Sequence, residues 1–242
     1  MSETVLVIGA GSANGVGGAL ARRFAQENYD VVIAGRTQAK VDATAEEINQ
    51  LGGKAIGMRV DVTSSEDQDV LFEFVESQKK PIASVIFNAG SNLPIGFADL
   101  SEQQFEEYWR IGCMGGFITA KRALPILAEQ GSGSMLFTGA SASLRGKPNF
   151  GHFASSKAAL RNLAQALARE YGPQGVHVAH VVIDGVVNGD IVNTRFKGYI
   201  ESLGDDGALD PNAIAETFWQ LHNQPRSTWT HEVDLRPFKE NW

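Results

Sequence analysis

Thr4-Val5-Leu6-Val7-Ile8-Gly9-Ala10-Gly11-Ser12-Ala13-Asn14-Gly15-Val16-Gly17 is an apolar run of strand length that breaks into a glycine-rich turn. Just behind it Leu20 and Phe24, and Ala21 and Ala25, recur at helical spacing. The order strand, glycine turn, helix carries a specific physical meaning. Glycines let the backbone bend sharply and come close to a pyrophosphate, and the helix N-terminus then offers free N–H groups and a partial positive charge to it. A tight strand-to-helix turn with no ligand is the plain alternative, but the place directly after the first strand favours the phosphate reading. Gly9, Gly11, Ser12, Asn14, Gly15 and Val16 are therefore the first cofactor-binding candidates.

Outward from this stretch the alternation continues. Strand-like runs are expected at 4–8, 31–34, 55–60, 84–87, 134–138 and 177–183, and the alternating stretch 229–237 reads as a last strand. Helical patterns separate them; Leu160, Leu163, Leu167 and Tyr171 mark one buried face of the helix that starts near Phe150, and 101–130 reads as another long helix. Alternating strands and helices call for a parallel sheet covered on both faces. The expected architecture is a doubly wound, Rossmann-type α/β fold of about seven strands. No Gly, Ser or Asp cluster is long enough for a linker, so residues 1–242 are expected to form a single dinucleotide-binding domain.

Composition narrows the function. Hydrophobic residues make up 43% and charged residues 20% of the chain, which places it with ordinary globular proteins. A net charge of -7 and the lack of a basic cluster argue against a nucleic-acid partner. The longest apolar runs are strand-length, so no membrane is expected, and no metal is expected either. The single cysteine, Cys113, cannot form an intrachain disulfide, and Met1-Ser2-Glu3 opens neither a basic nor a long apolar leader. The expected compartment is the cytoplasm.

At the end of the second strand a protein selecting NAD would place an acid against the ribose hydroxyls. Here the chain reads Ala34-Gly35-Arg36-Thr37. Arg36 can meet a 2'-phosphate with a charged fork of donors, and Thr37 can add a hydroxyl. NADP is the expected cofactor, against the alternative that Arg36 is merely a solvated cation at a strand end. Asp61-Val62 follows the third strand and Asn88-Ala89-Gly90 the fourth. Alone, Asp61 reads as a helix cap and Asn88 as a turn former.

Taken together and in this order, these pieces resemble the short-chain dehydrogenase/reductase family, from the first strand to at least Val187. Gly11-x-x-x-Gly15-x-Gly17 resembles its glycine motif, with Ala10 where threonine is usual. Counted from Gly9, the loop is two residues longer, similar to that of the divergent enoyl reductases of the family; both registers stay open. The resemblance implies that Asp61-Val62 contacts the adenine, that Asn88-Ala89-Gly90 forms a structural turn, and that Val187 helps place the nicotinamide.

The family usually carries Tyr-x-x-x-Lys, a serine thirteen residues before the tyrosine, and an asparagine on the preceding helix. In this chain Phe153 holds the tyrosine position, Ala140 the serine position and Gly112 the asparagine position; only Lys157 remains. The chain thus resembles an atypical subgroup with Phe in place of Tyr. Phenylalanine cannot donate a proton to the oxygen of a reduced carbonyl. Ser141, Ser143 and His152, in that order, or a water held by Lys157, are the candidate replacements; each has a plainer reading as a local hydrogen-bonding group. Asp184-Gly185 replaces the usual Pro-Gly, and Gly189 stands where a threonine often holds the carboxamide.

The expected function is NADP(H)-dependent oxidoreduction of a small organic substrate, with Lys157, Ser141 and the Phe153 position at the reacting centre. The rival expectations are a non-catalytic NADP-binding sensor or scaffold, and a purely structural subunit. The resemblance implies a homodimer or homotetramer under any of these. The polar, glycine-punctuated segment 189–210 is expected to form the substrate lid.

Overall fold

The computed structural model describes residues 2–196 and 198–240; Met1, Lys197, Asn241 and Trp242 lie outside the described residues. Seven strands, β1 (Thr4–Ile8), β2 (Asp30–Gly35), β3 (Lys54–Arg59), β4 (Ile82–Phe87), β5 (Ser134–Thr138), β6 (His177–Ile183) and β7 (Glu232–Leu235), form one sheet in the order β3-β2-β1-β4-β5-β6-β7. Every pairing is parallel. Parallel strands need a crossover between them, and the helices that provide it cover both faces.

Side chains alternate across the sheet with a period of two, and β1 shows where each goes. Val5 and Val7 face α1 (Val16–Ala25), α2 (Gln38–Gln50) and α9 (Pro211–His222), through Leu20, Phe24, Val41, Ile48 and Phe218. Leu6 and Ile8 face the other way, toward α3 (Ser65–Ser77), α5 (Gly115–Gln130) and α6 (Gly151–Tyr171), through Leu71, Val75, Leu124 and Leu160. Both halves of the sheet are buried, which is why the strands read as near-continuous apolar runs. At about 25 cal/mol per Å² of buried apolar surface, these two layers supply the main driving force for the fold.

The stretch 101–130 is not one regular helix. It runs as α4 (Glu102–Trp109), a π-helical turn at Arg110–Met114, and α5. Its start is set by Ser101, whose hydroxyl accepts from the Gln104 N–H while Gln104 reaches back to the Ser101 N–H, a capping box. Gly112 sits in the π turn because a Cβ there would stand 2.1 Å from Ser156 Oγ on α6. The 29-residue run Glu102–Gln130 is apolar enough by hydropathy to span a membrane, but Ala120, Ala123, Leu124 and Leu127 pack in the core, as expected of a helix that covers a sheet.

The last strand is shorter than its alternating sequence suggests: of 229–237, Glu232–Leu235 pairs with β6. Strand order reverses between β1 and β4, so their carboxyl ends diverge into the crevice where open α/β sheets bind ligands.

Candidate active site

The floor of the crevice is built from the carboxyl ends of β1, β4 and β5. Asn88 joins all three: its N–H donates to Ile8 O at 2.7 Å, its amide donates to Gly9 O at 3.1 Å, and its carbonyl accepts from Thr138 Oγ1 at 3.0 Å. The side chain is thus engaged at both ends in shaping the floor. Gly9 follows β1 with φ of 92°, in the left-handed region, and a Cβ on it would lie 2.3 Å from Ala89 N. Only glycine satisfies both conditions. The loop runs from Gly9 to its turn at Gly15, whose N–H donates to Ser12 O at 3.1 Å, and α1 begins at Val16. Around Gly11 no heavy atom lies within 4 Å of where a Cβ would be, so the loop presents open space beside the N-terminus of α1.

Not all the predicted loop residues point at that space. The Asn14 amide donates to Asp190 Oδ1 at 3.1 Å and so ties the glycine loop to the segment after β6. Val62 packs its side chain into the core, which leaves only its backbone to face a ligand. Asp61 is not the cap of α3; Ser64 is, accepting from the Asp67 N–H. Asp61 Oδ1 instead accepts from Thr63 N at 2.9 Å and Thr63 Oγ1 at 2.8 Å. Burial opposes its ionisation, but the Thr63 bonds and the nearby Arg36 and Arg59 guanidiniums hold the carboxyl below its ordinary range. Arg36 itself is exposed and makes no hydrogen bond or ion pair among the described residues, while Thr37 is the N-cap residue of α2.

Lys157 and Phe153 lie one turn apart near the start of α6. Lys157 is 3% exposed, and its Nζ donates to Thr138 O at 2.8 Å and to Ala89 O at 3.3 Å, with the Phe153 ring 6.0 Å away. It has no carboxylate partner among the described residues, and burial pushes its pKa down to about 8.

The candidate proton donors separate sharply. His152 is fully buried, with Nε2 on Leu93 O at 3.1 Å and its ring against Tyr108 at 4.2 Å between centroids. Ser143 is 5% exposed; its hydroxyl accepts from Ala140 N at 3.1 Å and meets His180 Nε2 at 3.4 Å. His180 Nδ1 meets Glu232 Oε2 at 3.0 Å, and Glu232 is held bidentately by Arg161 at 2.7 Å on each oxygen. Arg161 keeps Glu232 ionised against burial, and burial pushes His180 down to about 4. An ionised carboxylate only accepts, so Nδ1 carries the proton and Ser143 donates to Nε2. That chain was invisible in the sequence, and it commits Ser143 to the scaffold. Ser141 is half-buried and its hydroxyl makes no hydrogen bond among the described residues. Of the two serines it is the one available to a ligand.

Two further partners were also missed. Asp184, 1% exposed, accepts from Arg145 at 2.8 and 3.0 Å and from Arg236 Nε at 2.9 Å. This cluster fastens the turn after β5 to the end of β6 and to the segment after β7. The expected lid is not a plain polar loop: it contains α7 (Asp190–Arg195) and α8 (Tyr199–Leu203), and it exposes Ile191, Phe196 and Tyr199. Val187 stands at its root in a bridge to Leu209.

A doubly wound, all-parallel sheet with a glycine turn at the switch point defines the class: a Rossmann-type α/β fold. The family model described as short chain dehydrogenase matches residues 3–199, and the chain belongs to that family of oxidoreductases. It is similar to the oxidoreductase asL5 of Sarocladium schorii, 33% identical over 168 residues, 69% of this chain and 66% of that one. Among solved structures it is similar to a short-chain dehydrogenase from Rhodopseudomonas palustris, 32% identical with a TM-score of 0.83 over 98% of this chain and 99% of that one. It is also similar to an alcohol dehydrogenase from Thermococcus sibiricus complexed with 5-hydroxy-NADP, 26% identical with a TM-score of 0.85 over 100% and 99% of the two chains.

Proposed function

We propose that this protein is an NADP(H)-dependent oxidoreductase for a small organic electrophile, working without a tyrosine proton donor. The reading rests on two cations without an ion pair among the described residues: exposed Arg36 just after β2, and buried Lys157, whose Nζ lies at the ends of β4 and β5.

The residues present fit the cofactor. The open space beside Gly11 accommodates a pyrophosphate at the N-terminus of α1, and Arg36 with Thr37 offers donors to a 2'-phosphate. Backbone at Gly15, Val16, Val62, Ala89, Gly90 and Val187, together with Asp61, would hold the rest, with Lys157 at the nicotinamide end. Ser12 lines the same turn. A reduced nicotinamide supplies hydride at that end. Phe153, Ala140 and Gly112 offer no hydroxyl or amide there, so the site lacks the family's support for protonating a carbonyl oxygen. Substrates that need little protonation suit it: an iminium already carries positive charge, and a quinone or activated alkene gives an anion that survives until a proton arrives. The exposed Ile191, Phe196 and Tyr199 of the lid favour an apolar body on that substrate. Assembly into a homodimer or homotetramer in the cytoplasm belongs to the same reading, with Phe105 and Phe117 exposed on α4 and α5.

Thermal melting tests the cofactor half. A ligand at about one hundred times its Kd stabilises the native state by about 2.7 kcal/mol, which for a chain of this length raises Tm by roughly 5–10 °C. NADPH is expected to give a shift of this size, and NADH at equal concentration a smaller one. An equal or larger shift with NADH would remove the NADP assignment.

A further inference from the structure

We propose that the side-chain amides of Gln38 and Asn49 close the open β3 edge of the sheet and keep it from pairing with the same edge of a second copy of this chain. The device needs no cofactor and stands apart from the oxidoreductase reading.

β3 lies at the end of the sheet and pairs on one side, with β2. Successive residues of a strand turn their backbone groups to opposite sides. Val60 N–H turns inward to Gly35 O at 2.9 Å, so Ala55, Gly57 and Arg59 turn their N–H and C=O groups outward. An open row of this kind is a template on which another strand can form.

Here the row is covered from α2. Asn49 meets Ala55 as a peptide unit of a neighbouring strand would: its Nδ2 donates to Ala55 O at 3.0 Å, and its Oδ1 accepts from Ala55 N at 2.8 Å. Gln38 repeats the pattern further along, with Nε2 donating to Gly57 O at 3.2 Å and Oε1 accepting from Arg59 N at 2.9 Å. Of the six outward groups on those three residues, four are thereby taken. The Gln38 amide is itself steered by Asp42, to whose Oδ1 it donates at 2.7 Å. Gly57 lets α2 come this close, since a Cβ there would lie 2.7 Å from Asp42 Oδ1 and from Val41 C. The opposite edge, β7, is 4 residues long against 6 for β3, and a short edge strand resists pairing without such cover.

Without the amides, two β3 edges could meet antiparallel about a two-fold axis at Gly57. Ala55 would then stand opposite Arg59 of the second copy, and Ile56 opposite its Met58. Ile56 is 49% exposed and Met58 half-buried, so the junction would gain an apolar pair on either side of the axis.

The test compares the wild type with Gln38→Ala/Asn49→Ala, by light scattering after gel filtration and by hydrogen exchange resolved to single amides. In the wild type the Ala55 and Arg59 amides are expected to exchange slowly although they face outward. In the variant at low concentration both should exchange fast. As concentration rises, the mass of the variant should climb above that of the wild-type assembly by at least about a doubling, since a two-fold junction joins edges in pairs, while the Ala55, Gly57 and Arg59 amides become protected together. Ile56→Lys added to the uncapped edge should return the mass to the wild-type value without restoring either amide, because an edge lysine opposes pairing; association through a loosened fold would not respond in that way. A folded variant whose mass equals that of the wild type at every concentration overturns the proposal. So does association that leaves the 55–59 amides unprotected, or that Ile56→Lys fails to reverse. If the double variant does not fold, Asn49→Ala alone carries the same comparisons.

Discussion

Asp184→Asn is expected to destabilise the protein by about 3 kcal/mol, the lower end of the cost of removing one member of a buried ion pair, and to lower Tm by roughly 6–12 °C. The carboxylate is 1% exposed and serves two guanidiniums at once. An amide presents two N–H donors and one carbonyl, so at least one arginine would face a donor. Arg145 is 40% exposed at its side chain and lies 4.0 Å from Glu240, so solvent and that second carboxylate limit the loss. The pH dependence has a definite sign. Burial works against the Asp184 charge, but Arg145 and Arg236 outweigh it and hold the carboxyl below its ordinary value. A depressed folded pKa contributes stability that is fully present above the unfolded value, about 3.9, and is lost as pH falls through the folded value. Chemical denaturation should therefore show the full gap between variant and wild type at pH 7 and a shrinking gap below about pH 4. A gap that is constant with pH would mean that shape, not charge, holds this corner together.

Arg36→Asp is expected to invert cofactor preference. A charge-assisted bidentate contact to a phosphate contributes about 1.5–3 kcal/mol, or roughly tenfold to a hundredfold in affinity. An aspartate at the same strand end would repel the 2'-phosphate and accept from ribose hydroxyls. By calorimetry, NADPH affinity should fall by about a hundredfold while NADH affinity rises. The fold should be unaffected, since Arg36 is exposed and unbonded among the described residues. Unchanged NADPH affinity would make Arg36 a solvated cation and place the discrimination elsewhere.

The strands could be read from the sequence because a parallel sheet buries both faces: β1, β5 and β6 fall at their predicted limits, β2, β3 and β4 shift by one or two residues, and β7 starts three residues later and ends two earlier than expected. The glycine turn was legible for a local reason, since it depends only on position relative to one strand end; the place of Arg36, exposed just after β2, was legible in the same way. What the sequence hid was non-local. Asp184 lies 39 residues from Arg145 and 52 from Arg236, and His180 lies 52 from Glu232. No periodicity links such partners, so Asp184 read only as a departure from Pro-Gly. The sequence ranked Ser141 ahead of Ser143 without a physical reason to separate them, and the His180 ring beneath Gly139, which engages Ser143, supplies one; a Cβ on that glycine would stand 2.3 Å from His180 Nε2. The lid helices, 6 and 5 residues long, are too short to show a helical period. The π turn around Gly112 escaped because its close neighbour, Ser156, lies on another helix, 44 residues further along the chain.

On the function proposed above, this crevice reduces electrophiles with NADPH and favours those that need little protonation. The most direct test is steady-state loss of NADPH absorbance in the unmodified protein, with 2-methyl-1-pyrroline and menadione set against cyclohexanone. The imine and the quinone are expected to turn over at least about tenfold faster than the ketone, and Phe153→Tyr should improve the ketone only modestly because Ala140 leaves a new hydroxyl unsupported. Cyclohexanone reduced at about 10 per second, as fast as the other two, would contradict the account.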